Sequence, residues 1–197
     1  MSLKKSATLV RLPLFKFMVI SIFLMSFQQA LSQNDDNINS RDILYLTTGG
    51  KLQPLQAIMD IRHYSISLEV DIAKQSICGS TEVSMNLFKK TDTILLDLIH
   101  LYKVTKIKVN NKPTPFYQHD DKIFITSTTG FDIGNQKVVV EYNGIPPVAI
   151  KPPWDGGFTW KKDSAGYDWV SINIQAEGGK MYFPCKDHPS DEPNEGA

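Results

Sequence analysis

The sequence predicts an all-β fold, an antiparallel β-sandwich or saddle-shaped sheet preceded by a signal peptide. Three observations lead there. From Asp60 onward apolar and polar residues alternate with a period of two, the mark of half-buried strands. The alternating runs are short and separated by Asn, Asp and Gly clusters. No long segment of period 3.6 occurs outside the first 32 residues.

Those first residues read as an export signal. Lys4, Lys5, Arg11 and Lys16 give a basic start with no carboxylate. An apolar run follows from Phe17 to Phe27, and Ala30 and Ser32 stand three and one before a cut ahead of Gln33. The run is about half the roughly 20 residues that a spanning helix needs. The chain is thus expected to be exported, to the periplasm, the cell envelope or the exterior. Without residues 1–32 it has 17 basic against 21 acidic groups, a net charge of −4. That balance argues against nucleic acid as a partner, because phosphate binding needs clustered Lys and Arg. A hydrophobic fraction of 42% argues against disorder of the whole chain.

Residues 33–59 form a polar leader and an irregular segment, and residues 60–197 the β domain. Tyr64, Ile66, Leu68 and Val70 share one strand face. Asp71 to Ser76 supplies a turn, and Thr81, Val83, Met85 and Leu87 repeat the pattern on an antiparallel partner. Further strands are expected at Thr93–Leu98, Leu101–Val109, Lys122–Thr126 and Gln136–Tyr142. Between them, Asn110-Asn111, His119-Asp120-Asp121 and Gly134-Asn135 provide turns. The last strand, Trp169–Gln175, should bury Val170, Ile172 and Ile174. It then presents Trp169, Ser171, Asn173 and Gln175 on the opposite face. Gln175 ends that row just before Gly178-Gly179, where its amide can donate and accept hydrogen bonds toward a ligand backbone or amine.

Asp187, His188, Asp191, Glu192 and Glu195 are ligand types, but Pro184, Pro189 and Pro193 interrupt them, so a hydrogen-bonded loop is expected and no metal site. His63, His100, His119 and His188 are scattered singly, without an HExxH helix. No GxSxG elbow and no phosphate-cradling glycine loop occurs. No catalytic residue is therefore assigned. Trp154, Phe158, Trp160 and Trp169 suit a packed corner beside Pro152-Pro153 and Gly156-Gly157, or else a ligand-stacking surface. Cys78 and Cys185 are either a disulfide or, as is more ordinary, two buried free thiols.

The order of several short motifs carries a resemblance. Asp60-Ile61-Arg62-His63-Tyr64, Ile77-Cys78-Gly79, Tyr142-Asn143-Gly144-Ile145-Pro146, Gln175-Ala176 and Pro184-Cys185-Lys186-Asp187 together resemble the N-terminal domain of the aminopeptidase N family. That family of zinc gluzincin peptidases includes leukotriene hydrolase. The runs Pro152–Phe158 and Cys185–Pro193 are similar to its secreted bacterial branch. The resemblance spans about Asp60 to Pro193. It implies a β-saddle that packs on a helical, thermolysin-like catalytic domain. It also implies that Gln175 projects toward the active site and holds the free N-terminal amine of a peptide substrate. An amide grips an ammonium less tightly than a carboxylate does.

The family's GxMEN loop, its HExxH helix and its distal zinc-binding Glu would all lie beyond Ala197. Zinc is thus expected in a full-length enzyme and not on this chain, which alone should be inactive. A stand-alone β-sandwich binding or interaction module is the competing expectation.

Overall fold

A computed structural model describes residues 50–154, 156–175 and 177–194. The signal segment 1–32 and the leader through Gly49 lie outside the described residues, as do Asp155, Ala176 and Glu195. The described residues hold ten strands and no α-helix, as the period-two patterning predicts. These are β1 (Met59–Asp71), β2 (Ser76–Leu87), β3 (Thr91–Asp97), β4 (Tyr102–Val109), β5 (Lys112–Pro113), β6 (Phe116–His119), β7 (Lys122–Phe131), β8 (Gly134–Gly144), β9 (Gly157–Lys162) and β10 (Asp168–Asn173).

β1 and β2 form the expected antiparallel hairpin, paired from Asp71↔Ser76 to Met59↔Leu87 with one shift between Ile61 and His63. Its turn is fixed by Asp71, whose carboxylate accepts a bond from the Lys74 amide at 3.0 Å, and by Gln75 at φ 51°. The hairpin enters a five-stranded antiparallel sheet of order β1-β2-β8-β4-β5. A three-stranded sheet, β3-β7-β6, forms the second layer, and β9 and β10 make a separate ribbon.

One hydrophobic core joins the two larger sheets. Val83 and Met85 of β2, Ile107 of β4, and Val138 and Val140 of β8 share it with Ile94 and Leu96 of β3 and Ile123 and Ile125 of β7. This is sandwich packing, with alternate residues of each strand turned inward. Two adjacent left-handed residues, Asn110 at φ 50° and Asn111 at φ 66°, turn β4 into β5, which is why asparagine serves there.

Three short elements depart from the expected ones. β5 and β6 were masked in the sequence by Pro113, Pro115 and their brevity, and β9 by the glycines and prolines before it. β7 continues to Phe131 across a register shift, from Thr93↔Thr126 to Thr91↔Phe131.

Candidate functional site

The segment after β10 is pinned to the sandwich by buried polar groups. The Tyr102 hydroxyl donates to the Met181 carbonyl at 2.9 Å, and the Tyr142 hydroxyl to the Tyr182 carbonyl at 2.8 Å. The Lys186 amide donates to the Tyr64 hydroxyl at 3.0 Å. Burial pushes the ionisation of all three phenols well up from the ordinary value of 10.0, so they stay neutral donors and acceptors. Asp97, at the end of β3, exchanges both backbone bonds with Cys185 at 2.7 and 3.0 Å. Its carboxylate accepts from Gln56, from the Asp187 amide at 3.0 Å and from Lys122 at 3.1 Å.

The acidic run falls within this lattice. Asp191 accepts from the Lys186 ammonium at 2.6 Å and from the Ile61 amide at 3.1 Å. Asp187 lies 3.5 Å from the Lys180 ammonium. The His188 ring nitrogens face Ser190 at 2.8 Å and the Gly50 carbonyl at 3.0 Å. Among the described residues no group of three His, Cys, Asp or Glu is placed to hold a metal ion. Asp187 and Asp191 each face a lysine ammonium, an arrangement that does not suit zinc.

Ahead of the pinned segment stands the β9–β10 ribbon. Its loop is closed by Asp163, whose amide donates to the Tyr167 carbonyl at 2.8 Å. The Asp163 carboxylate accepts the Ala165 and Tyr167 amides, each at 2.9 Å. Lys162 and Asp168 pair across the strands at 2.8 Å. At the ribbon's root Phe158 is fully buried and stacks on Trp160, with centroids 5.5 Å apart. Gly157 is required there: its φ is 132°, and a Cβ would lie 2.7 Å from the Pro147 carbonyl oxygen.

The aromatic cluster therefore divides. Phe158 and Trp160 pack, while Trp154 is 70% exposed and Trp169 57%. The expected burial of Ile172 and Ile174 is not found, since they are 38% and 39% exposed. Val170 is partly buried and packs with Trp160 against the core, so of the expected apolar face only Val170 is covered. Cys78 is exposed rather than buried. Cys185 is buried, both thiols are free, and burial pushes the Cys185 thiol up in pKa.

Gln175 lies two residues past β10 and is exposed. It sits in the turn made where the Glu177 and Gly178 amides donate to the Ile174 carbonyl at 3.3 and 3.0 Å. The turn reverses through Gly178 at φ 79° into a single 3-10 turn, Gly179–Met181. The strand expected to run to Gln175 thus stops at Asn173, and Gln175 is carried, exposed, in the turn between the ribbon and the anchored segment.

A cavity of about 680 Å³ lies elsewhere, between β4, β5 and the far ends of β3 and β7. Its hydroxyls are turned onto the chain's own backbone, Thr114 to Lys112 at 2.9 Å and Ser127 to Gly130 at 3.4 Å. The pinning residues Asp97, Lys180 and Lys186 were not legible in the sequence as a group, since each is an isolated charge in an apolar or mixed run.

Fold and site together define an antiparallel β domain with an open ribbon and an exposed amide at the ribbon's end. Solved structures place that architecture. The chain is similar to an M1 zinc metallopeptidase of Deinococcus radiodurans bound to a Tyr-Ser-Ala substrate, with 20% identity and a TM-score of 0.53, over 74% of this chain and 33% of that one. It is also similar to yeast LTA4 hydrolase in complex with bestatin, with 16% identity and a TM-score of 0.58, over 83% of this chain and 25% of that one. The native yeast enzyme gives 18% identity and a TM-score of 0.55. At such identities the likeness is one of fold, and the fold is that of the N-terminal domain of aminopeptidase N named above. The chain spans about a third of the bacterial enzyme's length and a quarter of the yeast enzyme's. No family model matches the chain, and no curated protein matches it either.

Proposed function

We propose that this chain is the N-terminal substrate-binding and structural domain of an exported zinc aminopeptidase that removes residues from peptide N-termini. The observation that carries the reading is the fold of such a domain, spanning a third of a metallopeptidase, with Gln175 exposed where the ribbon meets the anchored segment. Export rests on the basic, apolar and small-residue order of residues 1–32.

In this reading the zinc and its activated water belong to a thermolysin-like partner domain, and zinc when bound there supplies the nucleophile. This chain's own part is recognition. The Gln175 side-chain oxygen accepts a hydrogen bond from the substrate ammonium, which favours a terminus over an internal peptide bond. The pinned segment behind it limits the amide's travel, so little ordering entropy is lost on binding. Ile172 and Ile174 leave apolar surface near Gln175 in the chain, suited to contact with the partner domain. Alone, the chain has no hydrolytic activity.

In the full enzyme, Gln175→Ala should raise KM for free-amine peptides by about tenfold to a hundredfold, the worth of one hydrogen bond to a charged group. An unchanged KM would remove Gln175 from the site. A second reading, a stand-alone binding module, draws on the exposure of Trp154 and Trp169. It predicts ligand binding by the isolated chain that Trp169→Ala abolishes.

A further inference from the structure

We infer that the free edge of β10 is a docking edge for an extended peptide, which adds to the β9–β10 ribbon as a third, antiparallel strand. The phase of the ribbon's own hydrogen bonds identifies that edge. Antiparallel ladders alternate hydrogen-bonded with non-hydrogen-bonded pairs. The closing bond from the Asp163 amide to the Tyr167 carbonyl makes that pair a bonded one. In the observed register the bonded pairs then continue as Lys161↔Trp169, Thr159↔Ser171 and Gly157↔Asn173. The amides and carbonyls of Asp168, Val170 and Ile172 consequently point away from β9.

The opposite edge confirms the phase. Phe158, facing Ile172 in a non-bonded pair, sends its amide to the Pro147 carbonyl at 2.7 Å and receives the Ala149 amide at 3.0 Å. The Pro147–Ala149 segment therefore covers β9, in a parallel bridge at Val148↔Phe158. Among the described residues nothing covers β10.

Exposed edges invite pairing, and proteins usually blunt them with bulges, prolines, lysines or brevity. The other edges here are treated that way. β1 is bulged between Ile61 and His63, and Asp191 takes the Ile61 amide. β3 is irregular between Thr91 and Thr93 and is bridged to Cys185 at its end. β5 has two residues, one of them Pro113, and β6 has four. β10 has six residues in unbroken register, with no proline and no lysine. It ends two residues before Gln175.

The orientation of the guest rests on the proposed function. With the free amine at Gln175, an antiparallel peptide runs from there along Ile172 and Val170 toward Trp169. Recognition is then mainly through main-chain bonds, so the substrate class is unstructured peptides of about five residues or more, with little demand on side chains beyond the first.

The test uses the full chain and a six-residue peptide of alternating valine and threonine, with a free N-terminus and an amidated C-terminus. Amide hydrogen exchange is followed residue by residue. The peptide should slow exchange at Val170 and Ile172 and leave Ser171 unchanged. N-methylating the peptide amides of one alternate set should weaken binding about tenfold, through loss of two bonds, while methylating the other set leaves it intact. Absence of binding, or binding without protection at Val170 and Ile172, would overturn the inference. So would equal effects of the two methylated sets. Protection of the same amides in peptide-free protein, growing with protein concentration, would assign the edge to a second copy and overturn it as well.

An N-acetylated peptide separates this inference from the reading beneath it. If the acetylated form protects Val170 and Ile172 equally well, edge pairing stands and the amine role of Gln175 fails. If the free amine is needed but no protection follows, the reverse holds.

Discussion

Three tyrosine hydroxyls and two buried lysines hold the C-terminal segment, and each contact is individually testable. Lys186 is buried with its ammonium between Asp191 and the Met59 carbonyl, at 2.6 and 2.8 Å. Lys186→Ala would leave a buried carboxylate uncompensated, a loss of about 3–5 kcal/mol in unfolding free energy, readable by urea titration. The tyrosines make an alkaline prediction. Tyr64, Tyr102 and Tyr142 have folded pKa values raised above the unfolded 10.0, so above that pH the folded state binds more protons than the unfolded one. Their contribution is complete below pH 10.0 and lost as pH rises beyond it, so chemical-denaturation midpoints should fall steeply above pH 10. Replacing Tyr102 by Phe should flatten that slope. At this scale the sequence was only partly legible. Alternation put Gln175 at the end of the last strand, whereas that strand stops at Asn173 and Gln175 stands in the following turn. Asp97 could not be recognised as the hub, because its partners Gln56, Lys122, Cys185 and Asp187 come from four distant stretches.

Strand elements were legible wherever one face is buried. β2 and β8 follow their period-two patterns because the core takes every second residue, while β1 and β4 resume theirs after shifts at Ile61/His63 and Val104/Lys106. β9 was hidden because its two ends are set by backbone constraint at Gly157 and by exposed lysines, with only Phe158 and Trp160 as apolar signal. The same ribbon shows how alternation misleads. Val170, Ile172 and Ile174 alternate alike, yet Val170 packs against the core while Ile172 and Ile174 are exposed, so apolar spacing marks a surface without saying that this chain covers it. Gly157 is the element's weak point. Gly157→Ala imposes a left-handed alanine and a clash with the Pro147 carbonyl, costing about 1–3 kcal/mol and lowering Tm by several degrees. Loss of amide protection in β9 and β10 before the sandwich opens would locate the damage in the ribbon.

At the scale of the whole molecule, one core joins the two larger sheets, and in the proposed reading the ribbon, Gln175 and the exposed apolar side chains face a second domain. The likeness to enzymes three to four times as long supplies the candidate. The fold class could be read from the sequence because it depends on patterning. The partner could not, since a bare interface and a ligand platform use the same residue types. The most direct measurement is the intact mass and zinc content of the native protein that carries this sequence, purified from its source. The account predicts a mass several times the 22.2 kDa of this chain, with about one zinc per molecule and release of N-terminal residues from peptides. A native mass near that of this chain alone, with no zinc and no peptidase partner, would contradict it and leave Gln175 without the role proposed here.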